Sequence, residues 1–198
     1  MKIKAFLVKL QIMIINWHGG GCYKISTSSA DIIIDPYSSN GVGNRLKGDL
    51  VLKTQSFLPL DINSVGKDEI IMAGEYEILG VKIRGTQVAS ASPTNYIQTV
   101  YKIVVDDIEL GFLGDISVEL DEKTLDDLGE IDILFVPSKN IASKLIKSVD
   151  PHIAIPGWGD PEKVMTDTGQ RPEALEKLVI KKKEIQTQEG FRLVVLKS

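Results

Sequence analysis

A mixed α/β fold, with sheets stacked on one another and covered by helices, is what this sequence predicts. Two observations lead there. The first 115 of the 198 residues read as short apolar runs separated by Gly, Asn and Ser turns, the mark of a β-rich segment. The remainder alternates apolar strands with short amphipathic helices, and such a series is buried most simply by layering sheets and helices. Length and composition agree. A chain of 21.8 kDa, 43% hydrophobic and 25% charged, can bury a core without disulfide or metal staples.

Met13–Trp17, Cys22–Ser26 and Ile32–Asp35 are expected strands, split by Gly19-Gly20-Gly21 and by the polar Thr27-Ser28-Ser29 turn. A loop over Ser38–Gly48 leads to the strand Leu50–Leu52. Ile70–Met72, Tyr76–Ile78 and Val81–Arg84 follow, punctuated by Gly74 and Gly80. Thr99–Val105 and Ile108–Leu113 flank Asp106-Asp107, which predicts a hairpin although no glycine supplies the positive φ of the turn. Asp121–Leu128 is an expected helix stopped at Gly129, and Ile131–Val136 a buried strand ended by Pro137. Ile141, Leu145, Ile146 and Val149 recur at helical spacing. Ile153–Ile155 is a strand closed by Pro156. A helix is expected over Pro172–Leu178, with proline at its first position, then final strands Leu178–Ile180 and Phe191–Leu196. Residues 1–12, basic and partly apolar, form a poor signal peptide. They read as an extension ahead of a single domain over 13–198, or as an extra edge strand.

Charge and rare residues exclude whole classes. A net charge of −4 and a pI near 5.3 lack the positive field that nucleic-acid binding needs. No apolar run has the roughly 18–20 residues of a membrane span. One cysteine, Cys22, forms no internal disulfide and fits a reducing cytosol, so a cytoplasmic location is expected. Two histidines, His18 and His152, rule out a metal site built on four or five imidazoles.

Several segments, taken in order, resemble one family. Ile14-Ile15-Asn16-Trp17-His18-Gly19 with Cys22-Tyr23-Lys24-Ile25 is similar to its opening strand pair, and Ile32-Ile33-Ile34-Asp35-Pro36 to its third strand. Gly74-Glu75-Tyr76-Glu77-Ile78 with Gly80-Val81 is the most specific match. Leu113-Gly114-Asp115, Ile131–Pro137 and Asp150–Pro156 follow in the right order. The resemblance is to the small Zn-dependent-hydrolase-like proteins of the metallo-β-lactamase superfamily, near the ascorbate-phosphate lactonase branch. It implies an αββα four-layer sandwich of two mixed sheets flanked by helices.

It also implies a His-x-His-x-Asp-His loop that holds one or two metal ions, whose bound water becomes the attacking hydroxide. That loop would follow Asp49–Thr54. Gln55, Phe57 and Leu60 stand at its imidazole positions and Pro59 at its carboxylate; apolar side chains cannot ligate, and glutamine is a poor zinc ligand. Downstream, Leu113 precedes Gly114-Asp115 and Trp158 replaces a terminal histidine, so Asp115 alone survives among the former ligands. The expectation is a protein that has lost its metal and its catalysis, with no cofactor, and serves a binding or assembly role. The alternative is a lactonase- or phosphodiesterase-type hydrolase holding one weakly bound Zn or Mn through Asp115 with Asp61 or Glu75. The expected partners are an unidentified small molecule or protein, or a second copy of the chain in a homo-oligomer, with no nucleic acid and no membrane.

The remaining candidates each carry two readings. His18 is a relic catalytic group or a structural histidine bonded to a loop carbonyl. Asp115 is a metal ligand or an acceptor of backbone N–H groups at its turn. Asp35 fixes the loop after its own strand, and Glu75 and Tyr76 are structural. His152 packs at a solvent edge. Cys22 is a buried inert thiol rather than a nucleophile beside His18. Gly19-Gly20-Gly21 forms a tight turn rather than a phosphate cradle, and Lys181-Lys182-Lys183 a solvated strand end. Phe57, Leu58, Leu60 and Trp158 are expected to fill the old cleft, with part of that surface shared between copies of the chain.

Overall fold

The structure, a computed structural model, describes residues 11–36, 46–187 and 190–198. Most of the expected N-terminal extension (1–10) and of the loop after the third strand (37–45) therefore lies outside the described residues. Along the chain run β1 (Met13–Trp17), β2 (Tyr23–Ser26), β3 (Asp31–Ile34), β4 (Leu50–Leu52), β5 (Gln55–Phe57), β6 (Glu69–Ile70), β7 (Gly74–Ile78), β8 (Val81–Gln87), β9 (Tyr96–Val105) and β10 (Ile108–Phe112). The second half adds α1 (Glu122–Leu128), β11 (Ile133–Pro137), α2 (Ala142–Val149), β12 (Ile153–Gly157), α3 (Glu162–Thr168), β13 (Leu178–Ile180), α4 (Lys182–Gln186) and β14 (Arg192–Leu193).

Two mixed sheets result. One has the order β13-β1-β2-β3-β4-β6. The other runs β14-β12-β11-β10-β9-β8-β7, with β5 paired to β9 beside that path. Strands with one wet face alternate in burial, as in β8, whereas β11 and β12 are buried at every residue because neighbours pair on both sides and helices cover them. Between the sheets, Ile15, Ile25, Ile34 and Leu52 meet Tyr101, Ile103, Phe112 and Phe135. Phe112 and Phe135 stack with centroids 4.1 Å apart, and Tyr23 meets Phe135 edge-on at 4.7 Å. A second apolar layer, with Leu134, Val136 and Ala154 from the sheet and Leu128, Leu145, Ile146 and Val164 from α1 to α3, seats those helices on the outer face of the second sheet. These layers are those of the metallo-β-lactamase sandwich.

The Asp106-Asp107 hairpin forms. Both aspartates take the positive φ, 51° and 61°, that glycine would usually supply. Asp106 is held there by Ser28, whose backbone N and Oγ donate to its carboxylate at 2.8 and 2.6 Å.

Three expectations of local structure are corrected. Residues 172–178 are not helical: Leu175 bridges Leu196 and exchanges backbone hydrogen bonds with Val195 and Lys197, so pairing with the C-terminal segment overrides the helical signal of Pro172. Lys181-Lys182-Lys183 is not a strand end, because α4 starts at Lys182 and buries Ile185 in the core between the sheets. The last strand is only Arg192–Leu193. Besides α4, two elements went unforeseen. Helix α3 presents a single buried residue, Val164, and β5 lies inside the expected ligand loop.

Candidate functional site

Strands β3, β4, β10, β11 and β12 all end at one edge of the sandwich, and the segments that follow them converge there. Asp35 follows β3, Thr54 follows β4, Gly114-Asp115 follows β10, Ser138-Lys139 follows β11 and Trp158 follows β12. The centre is Asp35. Its Oδ1 accepts from the Thr54 backbone N at 2.7 Å, and its Oδ2 from Thr54 Oγ1 at 2.5 Å and Trp158 Nε1 at 3.2 Å. Asp35 thus fixes the start of the ligand-loop segment, beyond the loop of its own strand. Burial, which disfavours the charged form, pushes its carboxyl up to about 6 against the lowering effect of those three donors, and the Asp115 charge adds to the rise.

Trp158 sits with φ +51°, its backbone N bonded to Gly20 O at 2.9 Å. Its indole lies against the β1–β2 turn so closely that a Cβ on Gly21 would fall 2.0 Å from Nε1. The glycine run therefore forms a turn shaped to receive a tryptophan. Gly114 is constrained in the same way: a Cβ there would lie 2.2 Å from Gln98 Nε2 and 2.7 Å from Thr54 Oγ1. Gln98 is 1% exposed, and its Nε2 has no hydrogen-bond partner among the described residues.

The segment expected to carry metal ligands is a strand. Gln55, Ser56 and Phe57 pair with Gln98, Ile97 and Tyr96 of β9, and Phe57 meets Tyr96 edge-on at 6.2 Å. Phe57 is 65% exposed and Leu58 40% exposed, so the expectation that both fill the old cleft is corrected. Pairing with β9 sets the phase of the strand, which buries Ser56 and turns Phe57 outward. Leu60 is half-buried and lines, with Gln55, Pro59 and Asp61, a recess of about 230 Å³. Trp158 is half-buried and packs against the inter-sheet core.

The other candidates are dispersed. Asp115 Oδ1 pairs with Lys139 Nζ at 2.7 Å, and the same ammonium donates to the Asp115 backbone O at 2.8 Å, so this carboxylate answers a cation rather than backbone N–H groups. Asp61 caps a short turn, accepting from Asn63 N. Glu75 pairs with Arg84 at 2.6 Å on the β7–β8 hairpin, and Tyr76 donates to Met72 O. His18 stands in the β1–β2 turn. Its Nε2 is buried without a hydrogen-bond partner among the described residues, and desolvation, with the nearby Lys24 charge, holds its pKa below the ordinary value. Burial pushes the Cys22 thiol up to about 11, leaving almost no thiolate at neutral pH. His152, at the far end of β12, lies 4.0 Å from Asp132.

The residues present do not fit the metal that the fold implies. At the ligand edge, Asp35 is held by three donors from Thr54 and Trp158, and Asp115 is paired with Lys139. Gln55, Phe57, Pro59, Leu60 and Leu113 supply neither imidazole nor carboxylate. Among the described residues, no three His, Cys, Asp or Glu side chains gather as a metal site would require. Reading the sequence missed Thr54, Gln98 and Lys139. The signal for Gln98 was the one side-chain amide in β9; Lys139, two residues past Pro137, gave none.

Solved structures confirm the architecture. A protein from Thermotoga maritima, assigned to the Zn-dependent hydrolases of the metallo-β-lactamase superfamily, superposes with a TM-score of 0.72 at 18% identity, covering 93% of this chain and 98% of that one. Igni18, a metallo hydrolase from Ignicoccus hospitalis, gives 0.64 at 14% identity over 86% and 99% of the two chains. A protein from Parabacteroides distasonis, assigned as a metal-dependent hydrolase, gives 0.56 at 20% identity over 84% and 94%. At these identities the likeness is one of fold. No functionally curated protein matches the chain. The family model described as the β-lactamase superfamily domain matches residues 14–157, most of the sandwich up to the residue before Trp158, and the chain belongs to that family.

Proposed function

We propose that this chain is a hydrolase-like member of the β-lactamase superfamily that works without the family metal and serves in binding or assembly. The observation that carries this reading is the ligand loop itself. It is stitched into the second sheet as β5, with Gln55 and Phe57 where ligands are expected. A metal-dependent lactonase or phosphodiesterase would need Asp115 to act with Asp61 or Glu75. Each instead serves its own local partner.

The assembly role draws support from exposed apolar side chains. Phe57, Leu58, Ile62 and Met72 are all exposed and belong to one short stretch beside the ligand edge. Such a patch in a water-facing protein marks an interface, and a homo-oligomer of this single domain is our reading of it. No helix among the described residues is long and apolar enough to cross a membrane. With its one thiol buried, the chain is suited to a reducing, cytoplasmic setting.

The test has two readouts on the purified protein. Elemental analysis after loading with zinc or manganese and desalting is expected to find far less than one ion per chain; near-stoichiometric metal would refute the metal-free reading. Light scattering is expected to find an oligomer that Phe57→Ser with Ile62→Ser dissociates. A monomeric wild type would remove the assembly role.

A further inference from the structure

We propose that Lys139 and Trp158 do from within the chain what a bound cation does at such an edge, and so shut the site to metal at two points outside the ligand loop. This inference rests on the metal-free reading. Two carboxylates, Asp35 after β3 of one sheet and Asp115 after β10 of the other, meet at this edge and sense each other's charge. Bringing like charges together at a partly dry edge costs free energy unless something positive or hydrogen-donating lies between and around them. A metal ion could supply that. In this chain, the Lys139 ammonium sits on Asp115, gripping both its carboxylate and its backbone carbonyl. Trp158 caps Asp35 with an indole N–H, a group that donates and cannot ligate.

The Trp158 arrangement is built for the ring. The residue takes a left-handed backbone conformation, its N–H is tied to Gly20, and the space above Gly21 is filled by the indole. This accounts for Gly19-Gly20-Gly21, which a phosphate cradle does not. It also explains why tryptophan, at the position resembling a terminal histidine, is more than a lost ligand: it holds the acceptor that an incoming ion would have to compete for. Restoring the loop alone then leaves the edge closed.

The experiment compares zinc retained after loading and desalting in four proteins. These are the wild type, a loop variant (Gln55→His, Phe57→His, Pro59→Asp, Leu60→His), the loop variant with Trp158→His, and that variant with Lys139→Ala as well. Background zinc is expected in the first two, and an increase of about tenfold or more once Trp158, and then Lys139, is replaced. A loop variant that retains as much zinc as the others overturns the inference while leaving the metal-free reading intact. So does a full set of substitutions that retains no more than the loop variant. Stoichiometric zinc in the wild type overturns both. Because the multiple variants can fail to fold, a second measurement uses the wild type: hydrogen exchange of its two indole N–H groups by NMR. The Trp158 proton, bonded to the half-buried Asp35 carboxylate, is expected to exchange at least about tenfold more slowly than that of the half-buried Trp17, whose indole donates to the Gly20 carbonyl in the β1–β2 turn. Equal rates would show that the cap over Asp35 is open and would overturn the inference.

Discussion

Asp35, half-buried, and Asp132, buried, lie at opposite ends of the sandwich, and the fold treats them in opposite ways. Asp132, at the start of β11, receives the Lys182 ammonium at 2.6 and 2.9 Å and the Glu109 backbone N–H at 2.7 Å. It rivets α4 to β10. Asp35 receives three donors, all neutral, and has no cation partner among the described residues. Its carboxyl is accordingly pushed up to about 6, because hydrogen bonds alone do not repay the loss of water around a buried charge. One end of the molecule is an ion pair tuned for stability. The other is a ligand edge where one carboxylate is answered by a hydroxyl, a backbone N–H and an indole and the other by a half-exposed lysine.

The largest effect is expected where the charge is compensated. Asp132→Ala strands the Lys182 ammonium and the Glu109 N–H, and is expected to cost about 2–3 kcal/mol in urea unfolding, toward the low end for a broken pair because Lys182 retains some contact with water. A loss under about 0.5 kcal/mol would show that the rivet is an ordinary surface pair and erase the contrast.

The pH response distinguishes the two ends next. The Asp35 carboxyl titrates near 6 in the folded chain against 3.8 ordinarily, so the folded state takes up a proton in that interval and the unfolded state does not. The stability it contributes is full below about pH 4 and is lost as pH rises through about 6. Relative to Asp35→Asn, which cannot titrate, the wild type is expected to lose about 2–3 kcal/mol between pH 4 and 7.5. A difference independent of pH would mean that Asp35 is an ordinary ionised carboxylate.

Trp158→Ala removes the ring from Tyr23 and Gly21 and uncaps Asp35, at an expected cost of about 2 kcal/mol, below the value for a fully buried tryptophan. Adding chelator is expected to leave the melting temperatures of wild type and variant unmoved. A melting temperature that drops with chelator in the wild type alone would point to a metal at this edge. The smallest effect belongs to the exposed strand β5. Phe57→Ser is expected to change the stability of a monomer by less than about 0.5 kcal/mol, because its ring faces water and touches only Tyr96 among aromatic rings. A larger loss at high dilution would mean that the ring packs into the chain after all.

Much of the architecture was legible because the strands of this chain are short, apolar and punctuated. Met13–Trp17 and Leu50–Leu52 match the observed strands residue for residue, and the hairpin at Asp106-Asp107 was visible despite its lack of glycine. The 172–178 segment was misread because Pro172 is a local signal and the bridge from Leu175 to Leu196 is not. The candidate site was legible only as a set of losses. That Gln55, Phe57, Pro59 and Leu60 are poor ligands follows from their chemistry. That Phe57 and Leu58 turn outward does not, since it depends on the register of β5 against β9.

By itself, then, the sequence determined the strand pattern, the family likeness and the missing imidazoles, because periodicity and side-chain chemistry are properties of each residue and its near neighbours. The tertiary structure alone decided what surrounds the carboxylates of the ligand edge. Asp35, Thr54, Asp115, Lys139 and Trp158 are spread over more than half the chain, and only the shared edge of two stacked sheets brings them within hydrogen-bonding reach. Whether a buried carboxylate meets an ammonium or an indole is set by which strand ends beside it, and that is a fact of packing.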